Sequence, residues 1–150
     1  MKTLEQRFAI EWAHCDSAGI VFYPKYYAWF DQATERLFKA NGLGYPDLDR
    51  EFGVTGMPLV ETGSTYRSPC KLSDEIVMKS WVDEWKARSF LVKHVISHEN
   101  GDANNPHGGI ILDVSEDCSR RSNVLRMEKI LQGGMKTTMV LLQINVLFTD

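Results

Sequence analysis

One short stretch of the sequence places a carboxylate just before an aromatic-rich segment with helical character. It runs His14-Cys15-Asp16-Ser17-Ala18-Gly19-Ile20-Val21-Phe22-Tyr23-Pro24. The first N–H groups of a helix have no partner inside it and lie at the positive end of its dipole. They can stabilise negative charge developing on a carbonyl oxygen, as in an oxyanion hole. Asp16 could act on that carbonyl as nucleophile or general base, although an aspartate near a helix start is more often a cap or turn residue.

The other residues able to do chemistry have simpler interpretations. Cys15 has no basic partner in evidence, which is typical of a small, half-buried cysteine. His14 could orient the neighbouring loop or be a solvated loop histidine. His94 and His98 would share one strand face, but a metal pair without a third ligand is rarer than two structural histidines. The sequence therefore predicts no metal site.

The composition is that of an ordinary globular domain. The chain has 150 residues, of which 43% are hydrophobic and 25% charged, and its net charge is −3. This length fits a single domain over residues 1–150. The slightly acidic balance disfavours a general nucleic-acid binder, and no apolar run reaches the roughly 18 residues of a membrane span.

The cysteines and the first residues indicate a cytoplasmic protein. Cys15, Cys70 and Cys118 are odd in number, far apart and without a Cys-x-x-Cys pair. A disulfide framework or a zinc ribbon is therefore not expected, and we predict three reduced thiols. Residues 1–7 contain no apolar core of the kind found in secretory signals.

The elements that would position Asp16 follow from local pattern. Pro24 suits the first turn of a helix, and Asn41-Gly42 is a natural end, so we predict a helix over residues 25–41. Its broad apolar arc is typical of a helix enclosed by other structure. Period-two alternation predicts strands near residues 59–68, 75–86 and 89–99, and over residues 7–13, with Phe8, Ile10 and Trp12 on one buried face.

The remaining elements are weaker in pattern. We predict a short helix at residues 45–52, a strand at residues 109–114, a helix at residues 123–132 and a last strand at residues 140–148. One long helix followed by a run of antiparallel strands is an α+β layout, with the helix on one face of the sheet.

Three blocks of the sequence fall in an order and spacing that carry a family resemblance. The first runs Asp16-Ser17-Ala18-Gly19-Ile20-Val21-Phe22-Tyr23-Pro24-Lys25-Tyr26-Tyr27. The second is Tyr66-Arg67-Ser68-Pro69 before a Ser-Asp turn, and the third is Trp85-Lys86-Ala87-Arg88-Ser89-Phe90 at a corner between strands. In these blocks the chain resembles the 4-hydroxybenzoyl-CoA thioesterase family.

The resemblance implies a hotdog fold, in which an antiparallel sheet wraps a long helix. It also implies a homodimer or homotetramer with active sites at subunit interfaces. The implied reaction is hydrolysis of an acyl-CoA thioester without a metal or redox cofactor.

The resemblance also implies roles for individual residues. Asp16 matches the catalytic aspartate of the family. Tyr23 matches the position whose backbone N–H binds the thioester oxygen. Lys86, Arg88 and Ser89 fall near where the family gathers basic residues for the phosphates of CoA.

The end of the chain departs from the family pattern. The family usually ends with two paired strands, the first beginning at a glycine-rich turn. Here residues 113–126 are polar and irregular in pattern, and residues 135–148 are apolar and strand-like. The sequence therefore does not predict the contribution of those last strands to CoA binding or to the subunit interface.

The leading hypothesis is a thioesterase acting on an aryl or a medium- or short-chain acyl-CoA. The aromatic residues Tyr23, Tyr26, Tyr27 and Trp29 are compatible with an aryl pocket. One alternative is a hotdog dehydratase or hydratase, but such enzymes usually rely on a catalytic histidine, and no histidine falls in an obvious catalytic block. The other is a protein that binds an acyl thioester without turning it over. Whether the carrier is CoA or an acyl-carrier protein stays open.

Overall fold

The computed structural model describes residues 3–52, 56–86, 89–99 and 110–119. Two helices and five strands alternate with loops along these residues. In chain order they are β1 (Leu4–Ala9), α1 (Tyr23–Ala40), α2 (Tyr45–Phe52), β2 (Leu59–Tyr66), β3 (Glu75–Trp85), β4 (Ser89–His98) and β5 (Ile110–Ser119). A single 3₁₀ turn at Trp12–His14 lies between β1 and α1.

The five strands form one antiparallel sheet in the order β1-β3-β4-β5-β2. β3 and β4 pair as a hairpin over nearly their whole length, and β5 continues the sheet from β4. β2 then pairs with β5, so β1 and β2 are the two edges of this sheet. The α+β layout predicted from the sequence is confirmed.

Helix α1 begins and ends where local sequence signals place it. Pro24 occupies its first turn, where the missing N–H costs no hydrogen bond. At the other end the Asn41 side chain donates to Leu37 O at 2.7 Å, and Gly42 takes a φ of +76°, which favours glycine. The observed helix therefore matches the prediction to within two residues at its start.

One face of α1 is buried against the sheet. The buried helix residues recur at three- and four-residue spacing and are Tyr26, Phe30, Ala33, Thr34, Leu37 and Phe38. Against the second half of the helix pack Val82, Phe90 and Val92, and against the first half Ile76, Met78 and Ile96. Each fully buried aliphatic or aromatic side chain contributes about 1.5–3 kcal/mol, so this face fixes the helix on the sheet.

A buried polar cluster lies under the middle of α1. His94 of β4 is fully buried, and its Nδ1 is 2.8 Å from Ser80 Oγ. Its Nε2 is 3.4 Å from Thr34 Oγ1, and its ring stacks on Phe30 at 4.9 Å. His94 is therefore a structural histidine of the core, as the sequence favoured, and within the described residues no group of three potential metal ligands is found.

The prediction for the first strand was wrong in position. The strand spans Leu4–Ala9, and the chain turns at Trp12–His14 instead of continuing in extended form. Ile10 is buried, but Trp12 is 80% exposed and does not share its face. The turn forms because the Glu11 N–H donates to His14 Nδ1, while the Glu11 C=O accepts the His14 backbone N–H at 2.9 Å.

The sheet settles two further points. An irregularity in register lies between Val82 and Glu84, and Trp85 just after it packs against the core with its ring 5.2 Å from that of Phe90. Residues 113–119, which look irregular in sequence, belong to β5, which is longer than predicted. The helix at residues 123–132 and the strand at residues 140–148 lie outside the described residues.

Candidate active site

Asp16 lies in a tight turn that is held by its own hydrogen bonds. Its N–H donates to Ile20 O at 2.9 Å, and its C=O accepts the Gly19 N–H at 3.0 Å. Its Oδ1 accepts the Ala18 N–H at 2.8 Å, while the residue as a whole is exposed. Gly19 takes a φ of +74°, a conformation that side-chain-bearing residues rarely adopt. The turn thus presents a carboxylate of fixed orientation to solvent.

The same turn is tied to the start of α1 and to the segment after β2. The Phe22 N–H donates to His14 O at 2.9 Å, which closes the base of the loop at the N-cap of the helix. The Val21 N–H donates to Cys70 O at 2.9 Å, and Ile20 forms a bridge with Lys71. Phe22 has no side-chain acceptor to cap the helix, Pro24 has no N–H, and the Lys25 N–H donates to Phe22 O at 2.9 Å. Within the described residues this leaves the Tyr23 N–H available to a ligand at the start of α1.

His14 supports this loop through its ring. Its Nδ1 accepts the Glu11 N–H at 3.0 Å, and its ring meets the Trp29 ring edge-on at 5.0 Å. It also lines a second cavity of about 250 Å³ between β1 and α1. The His14 ring is thus held against β1 and α1, at this second cavity.

A cleft of about 610 Å³ opens beside Asp16. Its lining comes from the loop that carries Asp16 (residues 15–22, the acidic loop), from the first turns of α1 and from the residues around the end of β2. These lining residues are Asp16, Ile20, Val21, Tyr23, Tyr26, Tyr27, Tyr66, Arg67, Ser68 and Pro69. The structure therefore brings together Asp16 and Tyr23, the two residues predicted to handle the thioester carbonyl.

Four tyrosines make the cleft aromatic. The Tyr26 and Tyr66 rings meet edge-on with centroids 5.8 Å apart, and the Tyr27 hydroxyl lies 2.9 Å from Ser64 Oγ. Burial raises the pKa of Tyr26 well above its ordinary value, and burial followed by the neighbouring Tyr27 raises the pKa of Tyr66. Both rings are therefore neutral hydrogen-bonding groups at physiological pH.

Cys70 lies behind the cleft as a neutral thiol. It is fully buried, in the same core cluster as Tyr26. Burial raises the pKa of Cys70 to about 11. Cys15 is half-buried, with its Sγ 3.8 Å from Glu11 O. Within the described residues neither cysteine lines the cleft.

The residues predicted to bind the CoA phosphates lie elsewhere in the chain. The Lys86 N–H donates to Ser89 O at 2.8 Å at the corner between β3 and β4. This corner lies beside the C-terminal half of α1, whereas Asp16 lies at its N-terminus, and a helix of 18 residues is about 27 Å long. One chain therefore does not bring Lys86 and Ser89 to the cleft. Arg88 lies outside the described residues.

The lining around the end of β2 was not among the predicted site residues. Tyr66, Arg67, Ser68 and Pro69 are some fifty residues from Asp16 in sequence and reach the cleft because Cys70 and Lys71 bond to the acidic loop. The only signal for them was that they form one of the three blocks of the family resemblance.

Comparison with known proteins agrees with this fold. The profile of the thioesterase-like superfamily matches residues 10–118. Over 96 residues the chain is 32% identical to 4-hydroxybenzoyl-CoA thioesterase from Pseudomonas sp. (strain CBS-3), and the match covers 63% of this chain and 67% of that enzyme.

Solved structures give the same result. A 4-hydroxybenzoyl-CoA thioesterase with an Asp-to-Asn substitution, complexed with 4-hydroxybenzoyl-CoA, has a TM-score of 0.70 and 25% identity over 82% of this chain and 86% of that one. A gentisyl-coenzyme A thioesterase has a TM-score of 0.64 and 26% identity over 77% of this chain and 86% of that one.

The chain therefore belongs to the thioesterase-like superfamily, and its fold is the hotdog fold. The family resemblance stated from the sequence is confirmed, and so is the enzyme class at the level of the family, since the relatives are named thioesterases. Of the helices in the described residues, none has the length and apolar character needed to cross a membrane.

The raised pKa of Cys70 gives a test of how this region is packed. At pH 8 about one Cys70 in a thousand is a thiolate, because the pKa of about 11 lies three units higher. We expect iodoacetamide to modify half-buried Cys15 at pH 8 and to leave Cys70 unmodified until the protein is unfolded, as measured by peptide mass mapping. Because its folded-state pKa exceeds the ordinary 9.0, the stability this thiol contributes is present below pH 9 and is lost as the pH rises toward 11.

Native-state labelling of Cys70 at the rate of Cys15 would contradict this packing. The difference in unfolding free energy between the wild type and Cys70→Ala, followed from pH 8 to 11, isolates the thiol from the lysines and tyrosines that titrate in the same range.

Proposed function

We propose that this protein is an acyl-CoA thioesterase in which Asp16 acts on a thioester carbonyl held at the start of α1. The observation that carries the proposal is the cleft that Asp16 and Tyr23 line together, with an exposed carboxylate facing the same space as an uncapped helix N-terminus. The superfamily match and the thioesterase relatives support it.

The chemistry follows from this juxtaposition. The N–H of Tyr23 and the positive end of α1 stabilise the charge that develops on the thioester oxygen. An Asp16 oxygen then either attacks the carbonyl carbon or removes a proton from the water that attacks it. Collapse of the tetrahedral species breaks the C–S bond, and CoA leaves as a thiolate that takes up a proton. Attack by Asp16 would give a mixed anhydride, which water hydrolyses to the free acid and the carboxylate of Asp16.

The lining of the cleft supports an aryl acyl group. Tyr23, Tyr26, Tyr27 and Tyr66 provide ring faces and edges, and aromatic rings pack well in offset or edge-on geometry. The relatives named above act on, or are complexed with, hydroxylated aromatic acyl-CoA thioesters by their names. Medium- and short-chain acyl groups are the alternatives that a substrate panel separates.

A dehydratase or hydratase is less well supported by the described residues. His94 is buried in the core, and the ring of His14 is held by Glu11 and Trp29. No histidine of the described segments lines the cleft, so the usual catalytic histidine of such enzymes has no counterpart there.

We propose further that the enzyme is a homodimer or homotetramer in the cytoplasm, with CoA bound across two subunits. Lys86 and Ser89 lie at the opposite end of α1 from Asp16, so a second subunit in an antiparallel arrangement would bring its hairpin corner toward the cleft. Edge strand β2 exposes Leu59 and Val60, at 51% and 64%, and ends at the cleft. Pairing of the β2 edges of two subunits would cover both apolar side chains.

Substitution of Asp16 tests the proposed reaction. We expect Asp16→Asn to lower kcat for the best acyl-CoA by about 100- to 10,000-fold, the usual range for loss of a positioned acid–base group, with acyl-CoA binding retained. Thiol release from benzoyl-, hydroxybenzoyl-, medium- and short-chain acyl-CoAs measures the rate, and calorimetry measures binding. Asp49→Asn, at an exposed site on α2, is the matched control and should behave as the wild type.

Unimpaired hydrolysis by Asp16→Asn would refute the role of Asp16. Binding without turnover in the wild type would indicate a non-catalytic acyl-thioester-binding protein instead. A single turnover in ¹⁸O-labelled water then separates the two mechanisms, because label enters the Asp16 carboxylate only if an anhydride forms.

Substitutions at two glycines distinguish an effect on the position of Asp16 from an effect on the overall stability of the protein. Gly19 and Gly42 both have φ near +75°, and a Cβ at either would meet nothing within 4 Å. Alanine should therefore cost each about 1–2 kcal/mol of backbone strain. We expect Gly19→Ala and Gly42→Ala to lower the free energy of unfolding similarly, as measured by urea denaturation, while only Gly19→Ala lowers kcat. Equal activity in the two variants would show that the turn geometry does not matter to catalysis.

Substitution on β2 tests the subunit arrangement. We expect Val60→Lys to convert the wild-type oligomer, of at least twice the chain mass by light scattering, into a smaller species with weakened CoA affinity. Ala40→Lys adds the same charge at the exposed last residue of α1, away from β2, and is the matched control. A monomeric wild type that is fully active would overturn the shared site.

A further inference from the structure

One positively charged side chain, that of Arg67, is among the described residues that line the cleft beside Asp16. Among its described lining residues, only Asp16 and Arg67 carry a full charge at neutral pH, and they are of opposite sign. Arg67 is exposed, and it follows Tyr66, the last residue of β2, whose ring meets Tyr26 in the wall of the cleft. The guanidinium is thus placed beside the aromatic walls of the cleft.

Arg67 has no partner among the described residues. The arginine ion pairs there join Arg7 to Glu5 and Glu99, and Arg50 to Asp47 and Glu51, and no carboxylate of the described chain is paired with Arg67. Water solvates this guanidinium in the open cleft. An acyl group that fills the cleft removes that water, and burying an unpaired cation is costly. A substrate that brings its own anion offsets this cost.

The size of the cleft indicates which part of the substrate carries that anion. Asp16 and Arg67 line one cleft of about 610 Å³, whose cube root is about 8.5 Å, so a group between them spans a distance of that order. In CoA, thirteen bonds separate the sulfur from the nearest phosphorus, about 15 Å at the reach per bond of an extended backbone. The phosphates of an extended CoA therefore lie beyond the cleft, whereas a substituent on the acyl group lies inside it.

We propose that Arg67 is a specificity-determining residue that binds a carboxylate on the acyl group, remote from the thioester. The preferred substrate is then the mono-CoA thioester of a dicarboxylic acid, with an aromatic ring between the two carboxyl carbons. A carboxylate matches the two parallel donors of a guanidinium, and it is the anion that arginine binds with the best geometry. This proposal rests on the proposed function in one respect: it assumes that the thioester carbonyl binds beside Asp16 and Tyr23.

Binding of two non-hydrolysable ketone analogues tests this without requiring turnover. 4-Carboxyphenacyl-CoA and phenacyl-CoA differ only in the carboxylate, and their Kd values are measured by calorimetry on the intact protein. We expect the wild type to bind the carboxylated analogue more tightly. Arg67→Met should weaken that analogue by about 10- to 100-fold, the value of a hydrogen-bonded charge pair, and change phenacyl-CoA by less than about threefold.

Matched variants and a shortened carrier identify the group that Arg67 binds. Arg67→Lys keeps the charge without the fork and should recover part of the lost affinity. Arg36→Met removes an exposed arginine of α1 that does not line this cleft and should leave both Kd values unchanged. The corresponding pantetheine thioethers, which lack the phosphates, should show the same loss in Arg67→Met.

Three outcomes would overturn the proposal. The first is equal binding of both CoA analogues by the wild type, and the second is a loss in Arg67→Met that is the same for both. The third is a loss that disappears with the pantetheine analogues, which would assign Arg67 to a phosphate of CoA. Absence of hydrolysis in the wild type would refute the proposed function and leave this comparison of affinities intact.

Discussion

The burial of one face of α1 against the sheet is the constraint on which the whole site depends. Phe30, Leu37 and Phe38 are removed from water almost completely, and they fix the axis of the helix over β3 and β4. A helix held in this way has a fixed N-terminus, and its dipole points at a fixed place. The acidic loop then needs only short backbone bonds, from Phe22 to His14 and from Val21 to Cys70, to set Asp16 beside it.

Apolar packing in the core and polar groups at the site therefore have different roles. The core supplies rigidity, including the buried His94, whose two ring nitrogens face Ser80 and Thr34. The cleft supplies groups at the edge of that rigid body: the Asp16 carboxylate, the Tyr23 N–H and the neutral hydroxyls of Tyr26 and Tyr66. A preorganised arrangement of this kind stabilises developing charge without reorganising during the reaction.

Local sequence signals predicted those parts of the structure that local interactions determine. Pro24 and Asn41-Gly42 bracket α1, and alternation predicted the strand near residues 89–99, whose Phe90, Val92 and Ile96 lie in the core. The resemblance identified Asp16 and Tyr23, which the fold then brought to one cleft. The prediction that Trp12 lies on a buried strand face was wrong because reciprocal hydrogen bonds between Glu11 and His14 end the extended segment. A pattern of alternating hydrophobicity gives no information about such bonds.

The parts that could not be predicted depend on contacts between distant segments. The second half of β5, beyond the predicted residues 109–114, has a polar sequence, and it is a strand because β4 and β2 supply hydrogen bonds on both of its sides. Arg67 enters the cleft only because the segment after it bonds to the acidic loop. Lys86 lies at the end of α1 opposite to Asp16 because of the way the β3–β4 hairpin is oriented along the helix. The spacing of residues in the sequence does not specify that orientation.

The order of strands in the sheet has a consequence for when the cleft can form. β3 and β4 are neighbours in the chain and close a short loop, which is fast. β2 pairs with β5, so its partner is complete only after residue 119 has been synthesised, some fifty residues after the end of β2. During synthesis the segment Tyr66–Pro69 therefore lacks its neighbouring strand while α1 and the β3–β4 hairpin are already made. Of the described elements, we expect the wall of the cleft to order last, so a chain arrested before β5 would have the helix and hairpin but no site.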